Sequence, residues 1–179
     1  MNFFFTADEH FGHANIIKYC NRPYKNVEEM NKDLIARFNK KVPDSNQSFT
    51  VHAGDFCFGK SYAEAYNYIK YLNGHHIFLM GSHDVWLRND PNRVSTHEIW
   101  EKRIDGQLVV VCHYAMRTWA ASHYNSWHLY GHSHGKLESI GKSHDIGVDN
   151  NEFSPLSWDD LRAIMTNKPD NPNLVVKRT

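Results

Sequence analysis

Cysteine is scarce in this sequence. Cys20, Cys57 and Cys112 are the only three among 179 residues. They are odd in number and widely spaced, which excludes a C-x-x-C zinc pattern and an evident disulfide framework and leads us to expect a reducing, cytoplasmic setting. Neither sign of charge is in excess, with 20 Lys and Arg against 20 Asp and Glu. That balance argues against broad electrostatic capture of duplex nucleic acid or an anionic membrane. No apolar run approaches the ~20 residues of a membrane span. The opening Met1-Asn2-Phe3-Phe4-Phe5 lacks a basic n-region and a long apolar h-region, so it does not read as a signal peptide. Repeats, low-complexity tracts and linkers are also missing. A single domain over residues 1–179 is therefore expected, with 166–179 as a loosely packed tail. The 41% hydrophobic content is enough for a core at this length.

What the chain has in plenty is histidine, 13 in all, beside ordinary cysteine usage, and this directs attention to metal ligation. The run Tyr130-Gly131-His132-Ser133-His134-Gly135 is the most pointed stretch. In an extended segment residues i and i+2 face the same side, so both imidazoles can reach one point, and neutral imidazole is the commonest side-chain metal ligand. Alone, such a pair is equally a polar loop.

The apolar patterning gives the elements. Asn2–Thr6 reads as a strand that runs into Asp8 and His10, and Phe11–Tyr19 as a short helix ending near Pro23. Asn26–Val42 is an amphipathic helix, with Val27, Met30, Leu34, Ile35 and Phe38 on one face. Phe49–Ala53 is a strand followed by Gly54-Asp55. Ser61–Leu72 is a helix closed by Asn73-Gly74. His76–Met80 is a strand running into Gly81-Ser82-His83-Asp84, and a loop is expected around Pro91. His97–Ile104 and Gln107–Cys112 form a hairpin about Asp105-Gly106, and its second strand ends in His113. Met116–Trp127 reads as a short helix and loop, His128–Tyr130 and Ser143–Val148 as strands, and Pro155–Met165 as a helix start with Ser157 as N-cap.

Five apolar runs thus end in polar clusters: Asp8/His10, Asp55, Ser82/His83/Asp84, His113 and His132/His134. One or two would be coincidence; five suggest convergence on one rim of an α/β sheet, where ligands of such folds gather. Asp8, His10, Asp55, His113, His132 and His134 are too many ligands for one tetrahedral ion. Two ions sharing a carboxylate would use them all, and Asp55, isolated in sequence, is the natural bridge.

The ordered set D-x-H, G-D, G-S-H-D, H and G-H-x-H, spread over Asp8 to His134, resembles the calcineurin-like metallophosphoesterases, and the whole chain resembles their small, single-domain bacterial and phage members. The resemblance implies a four-layer α/β/β/α sandwich, two mixed sheets face to face with helices outside. It implies a dinuclear centre whose bridging hydroxide attacks the phosphorus of a small-molecule or nucleotide-like phosphoester. Asp8, His10, Asp55 and His134 match the ligands of the first ion, and Asp55, His113 and His132 those of the second. His83 matches the histidine that assists the leaving group, and Asp84 its orienting partner. One position departs from the pattern: the family's Asn, which gives an amide oxygen to the second ion, is Ser82 here. The alternative reading is therefore a weakened or non-catalytic metal- or phosphate-binding member.

Mixed Asp and His ligation suits Mn, Fe, Ni or Zn better than Mg or Ca, and Mn is the expected ion. His13, Arg117 and His123 are further candidates for contacting substrate; Arg117 in particular can clamp a phosphate. His52, His75, His76, His97, His128 and His144 read as structural or solvent-facing. A metallo-β-lactamase pattern, H-x-H-x-D-H, is absent.

Overall fold

The computed structural model describes residues 1–90, 94 and 96–175; Pro91, about which a loop was expected, and the tail beyond 175 lie outside them. The first sheet has the order β4-β3-β2-β1-β9. Its strands β1 (Asn2–Thr6), β2 (Ser48–His52), β3 (His75–Leu79) and β4 (Thr96–His97) run parallel, while β9 (Leu156–Ser157) is antiparallel to β1. The second sheet has the order β5-β6-β7-β8. In it β5 (Ile99–Ile104) is antiparallel to β6 (Gln107–Cys112), and β7 (Trp127–Tyr130) and β8 (Ser143–Asp145) continue parallel. Both sheets are mixed. They pack face to face and are flanked by helices.

Alternation along the strands builds two cores. Phe3, Phe5, Val51, Ala53 and Leu79 point from the first sheet towards Val109, Val111, Leu129 and Ile146 of the second. The opposite face of the first sheet, with Phe4 and Phe78, packs on the helices α1 (Ile16–Tyr19), α2 (Val27–Lys41), α3 (Tyr62–Ile69) and α4 (Val85–Asn89) through Ile16, Met30, Leu34, Phe38, Ala65 and Trp86. Leu161 and Met165 of α5 (Trp158–Thr166) join the core between the sheets. No helix among the described residues is long and apolar enough to cross a membrane.

The departures from the sequence reading have local causes. The helix expected over Phe11–Tyr19 is confined to Ile16–Tyr19, because the backbone of His10 and Phe11 is spent on the neighbouring loop, donating to Asp55 O at 3.0 Å and Phe56 O at 2.9 Å. The start of α5 moves to Trp158, since Leu156 and Ser157 pair with β1 before Ser157 caps the helix in a reciprocal box with Asp160. Before β7 opens at Trp127, the loop from Met116 holds a 3-10 turn at Ser122–Tyr124. At the hairpin, Asp105 and Gly106 both have positive φ, as a two-residue primed turn requires.

Candidate metal centre

The parallel strands β1, β2 and β3 of one sheet and β6, β7 and β8 of the other bring their carboxyl ends to the same rim. Bridges between loops close it: Ala7 pairs with Gly147, and Phe11 with Cys57. Asp8, His10, Asp55, His132 and His134 all have φ between 48° and 67°. That left-handed region is uncommon for residues with a side chain and clusters where function outweighs strain, at a cost of about 1–3 kcal/mol each. Two glycines permit the close approach. A Cβ at Gly81 would run into the backbone and carboxylate of Asp55, and one at Gly131 would lie 2.8 Å from Asp8 Oδ2.

The rim gathers two groups of donors. Asp8, His10 and His134 each offer an atom within 4.8 Å of the others, and so do Asp55, His113 and His132. Asp55 stands between the groups. Its Oδ2 is 3.7 Å from His10 Nε2 and 3.4 Å from His113 Nε2. Both of those ring nitrogens are buried and have no hydrogen-bond partner, a costly arrangement unless something completes it. His113 Nδ1 lies 2.9 Å from the Ala53 carbonyl. Donating there leaves the Nε2 lone pair directed at the site.

The electrostatics favour cations. Asp8 is fully buried and Asp55 nearly so. Burial, then repulsion from Asp55 and Asp145, push the Asp8 carboxyl well above its ordinary pKa, against two bonds from the His132 amide at 2.8 and 3.0 Å. Burial works against ionisation of Asp55 too, but the His113 ring beside it and the bond from the His83 amide hold it below the usual carboxylate range. Burial depresses the basicity of His10, which keeps the ring neutral, as a ligand must be. Buried like charges with unfilled imidazole lone pairs are stabilised by positive charge placed among them, and these oxygen and nitrogen donors fit divalent transition ions.

The other predicted residues are placed as follows. The Ser82 hydroxyl donates to Asp55 Oδ2 at 3.1 Å, and the His83 amide donates to Asp55 Oδ1 at 2.7 Å. The exposed His83 ring lies 5.3 Å from that of His10 and 5.7 Å from that of His13. Asp84 does not hold the His83 ring. Its carboxylate accepts from the amides of Asp55, Phe56 and Gly81 and from Trp86 Nε1, so it pins together the loops after β2 and β3. Burial and the nearby Asp55 push its pKa up to about 6. His13 lies beside the site, its Nδ1 3.3 Å from that of His10. Arg117 is exposed on the loop after His113. His123 sits away from the rim: the next residue but one, Asn125, accepts a bond from Gln107, which starts β6, whereas His113 follows the end of β6.

Sequence reasoning missed the residues that brace the candidate ligands. The buried Arg22 donates to the carbonyls of Asp8 and Glu9 at 2.7 and 2.9 Å, and to both oxygens of Asp149 at 2.8 Å. Asp149 Oδ2 in turn meets His134 Nδ1 at 2.7 Å. Glu9, lying between two ligands, contacts His52 Nδ1 at 2.6 Å. Asp145 accepts from Ser133 Oγ and the amides of Gly135 and Gly147, shaping the loop that carries His132 and His134. A third group of donors, Cys20, His134 and Asp149, also lies close together, but Arg22 already neutralises Asp149.

The fold and site define an α/β protein of two stacked sheets with a histidine- and aspartate-rich centre at the carboxyl ends of its parallel strands. By sequence the chain belongs to the family of an uncharacterized protein of Methanocaldococcus jannaschii, MJ1445, with which it is 32% identical over 164 residues, 87% of this chain and 86% of the relative. No family model matches the chain. Its fold is similar to that of AQ665 from Aquifex aeolicus, a protein of unknown function, at a TM-score of 0.68 and 19% identity, covering 91% of this chain and 98% of that one. Looser alignments are found with YfcE, a phosphoesterase from E. coli (TM-score 0.44, 16% identity, 82% of this chain and 78% of that). Vps29 from Entamoeba histolytica aligns similarly (0.45, 15%, 82% and 73%).

Proposed function

We propose that this protein is a metal-dependent phosphoesterase of the calcineurin-like type, a single domain acting in the cytoplasm on a small or nucleotide-like phosphoester. The observation that carries the reading is the position of Asp55, one carboxylate facing the unpartnered Nε2 atoms of both His10 and His113. Asp8, His10, Asp55 and His134 would hold one divalent ion, and Asp55, His113 and His132 the other, with Mn the favoured metal and Fe, Ni or Zn its competitors. When bound, such a pair supplies water of lowered pKa and positive charge that offsets the charge building on phosphate oxygens.

The chain's own groups do the rest. Asp55 keeps the two sets of histidines in register and, through Oδ1, fixes the backbone of His83. The exposed His83 ring, beside His10, delivers a proton to the leaving oxygen, a role worth about 10²–10⁴-fold. Asp84 secures the loop rather than the ring.

Metal analysis of the purified protein, paired with a screen of aryl monoesters, aryl diesters and cyclic nucleotides in Mn, tests the proposal. Two bound ions and turnover of one ester class support it. Absence of turnover with both sites filled would sink it.

A second reading rests on Ser82. Its hydroxyl is engaged with Asp55, and a hydroxyl is a shorter and weaker neutral ligand than an amide oxygen. On that reading the protein holds one ion tightly and binds phosphate without turning it over.

A further inference from the structure

The loop after β2 reads Phe56-Cys57-Phe58, and the three side chains are treated unequally. Phe56 and Cys57 are 1% exposed, whereas Phe58 is 55% exposed. Nothing about the backbone is loose there. The Asp8 amide donates to Gly54 O and the Phe11 amide to Phe56 O, and the Phe58 amide donates to Phe11 O at 2.8 Å. The ring is therefore held out from the surface by a fixed ladder of loop hydrogen bonds. One face is covered by His13, stacked at 4.3 Å between centroids and 14° between planes. Tyr19, itself 66% exposed, stands edge-on to His13 at 6.3 Å. The shelf adjoins the site on one side, since the His83 ring lies 5.9 Å from Phe58.

Exposure alone would not single out Phe58, but its fixed loop, the stacked His13 behind it and its place beside His83 make it a ready platform for a ligand. The position selects the ligand. His83 faces the oxygen that departs, so whatever is attached to that oxygen lies against Phe58. A rigid, flat ring backed by a parallel imidazole suits another planar ring, because offset stacking is the favoured aromatic geometry. We propose that Phe58, backed by His13, is a stacking shelf for the base of a nucleotide phosphoester, with the nucleoside on the leaving-group side. This rests on the phosphoesterase reading and narrows its substrate class.

The test compares two ligands with the same phosphate, adenosine 5′-monophosphate and ribose 5-phosphate, by calorimetric titration of the Mn-loaded protein. Base stacking on an aromatic side chain makes the nucleotide the tighter ligand by about tenfold. In Phe58→Ala the ratio of the two affinities should fall to near one, and in Phe58→Trp, which keeps a platform, it should stay at about tenfold or rise. Equal binding of the two ligands by the unaltered protein overturns the shelf, as does a nucleotide preference that survives Phe58→Ala. A Phe58→Trp protein without the preference would overturn it too, because the loss would then follow disturbance of the loop. A protein that binds neither phosphate and hydrolyses no ester overturns the phosphoesterase reading and the shelf with it, an outcome distinct from binding both phosphates equally.

Discussion

Arg22 grips Asp149 with two bonds of 2.8 Å, although 127 residues separate them in the chain. The same guanidinium takes the carbonyls of Asp8 and Glu9. One buried side chain thus joins the loop after β1 to the turn after β8, and through Asp149 it orients His134. A carboxylate behind a ligating imidazole fixes its tautomer and raises its basicity. Asp149→Asn should fold, yet weaken the first metal site about 10–100-fold, read by competition titration with a chelating dye. Arg22→Ala leaves Asp149 without its cation and should cost about 3–5 kcal/mol in denaturant unfolding. Unchanged metal affinity in Asp149→Asn would mean that His134 needs no brace.

The surroundings of Asp55 favour its ionised form even without metal. In the metal-free protein its charge raises the Asp8 carboxyl still further above the effect of burial. On the proposed reading it is also the carboxylate shared by the two ions. Asp55→Asn keeps an oxygen for the His83 amide but removes the charge. The variant should lose both ions and hydrolysis, and its metal-free form should be less stable than metal-free wild type at neutral pH, because a carboxyl held below its ordinary pKa stabilises the fold when ionised. Thermal unfolding in chelator and metal analysis of the same sample read the two effects separately. A variant that still binds two ions would remove Asp55 from the bridging position.

On the proposed reading, Ser82 limits the strength of the second site. Its hydroxyl sits 3.1 Å from Asp55 Oδ2 and is spent on that bond. Ser82→Asn places an amide oxygen at the same loop position, and second-site affinity and turnover should both rise, about tenfold for each 1.4 kcal/mol of added ligation. A Mn titration superimposable on that of the wild type would show that Ser82 is already competent.

The strand ends were legible in the sequence because alternation and the Gly-containing clusters are local signals. Asp8, His10, Asp55, His113, His132 and His134 could be picked out by type and spacing before any fold was known. Arg22 and Asp149 could not. Arg22 precedes a proline in what reads as a helix terminus, and only the fold brings Asp149 to it. The role of Asp84 was hidden for a related reason: three of its four partners are backbone amides, which carry no sequence signature. His123 lies towards the start of β6, the end away from the rim, and no local signal in the sequence tells which end of a strand its loop returns to. The left-handed φ of five candidate ligands was equally invisible, since Asp and His visit that region more readily than most side chains but do not require it.

His76 gives the fold an acid sensitivity separate from the metal centre. It is largely buried on β3, its Nδ1 3.1 Å from His52 Nε2 and its own Nε2 without a partner. Burial, then the nearby His52, push its pKa from 6.5 down to about 3. The folded protein keeps the ring neutral where the unfolded chain takes up a proton. Its contribution is whole above pH ~6.5 and is lost progressively as the pH falls towards ~3. Between pH 7 and 5 the wild type should lose about 2 kcal/mol from this group. His76→Asn, which keeps a polar atom for His52 but does not titrate, should lose correspondingly less over the same interval. Urea unfolding of both proteins at the two pH values measures the difference, and parallel losses would acquit His76.

The last prediction concerns His83, whose ring and backbone do different things. Its amide is fixed by Asp55 Oδ1 at 2.7 Å, so any residue at this position keeps that bond. Among the described residues, the exposed ring makes ring-to-ring contacts with His10, His13 and Phe58. His83→Ala should therefore retain both ions and the wild-type unfolding free energy. Its turnover should fall about 10²–10⁴-fold on esters of alkyl alcohols, whose oxygen must be protonated as it leaves. On esters of acidic phenols, which depart as anions without help, the loss should be far smaller. A series of phosphoesters graded by leaving-group pKa separates the two cases, because proton donation makes the variant's rates depend more steeply on that pKa than the wild type's. Equal losses across the series, with the metals still bound, would mean that the ring binds phosphate instead of donating a proton.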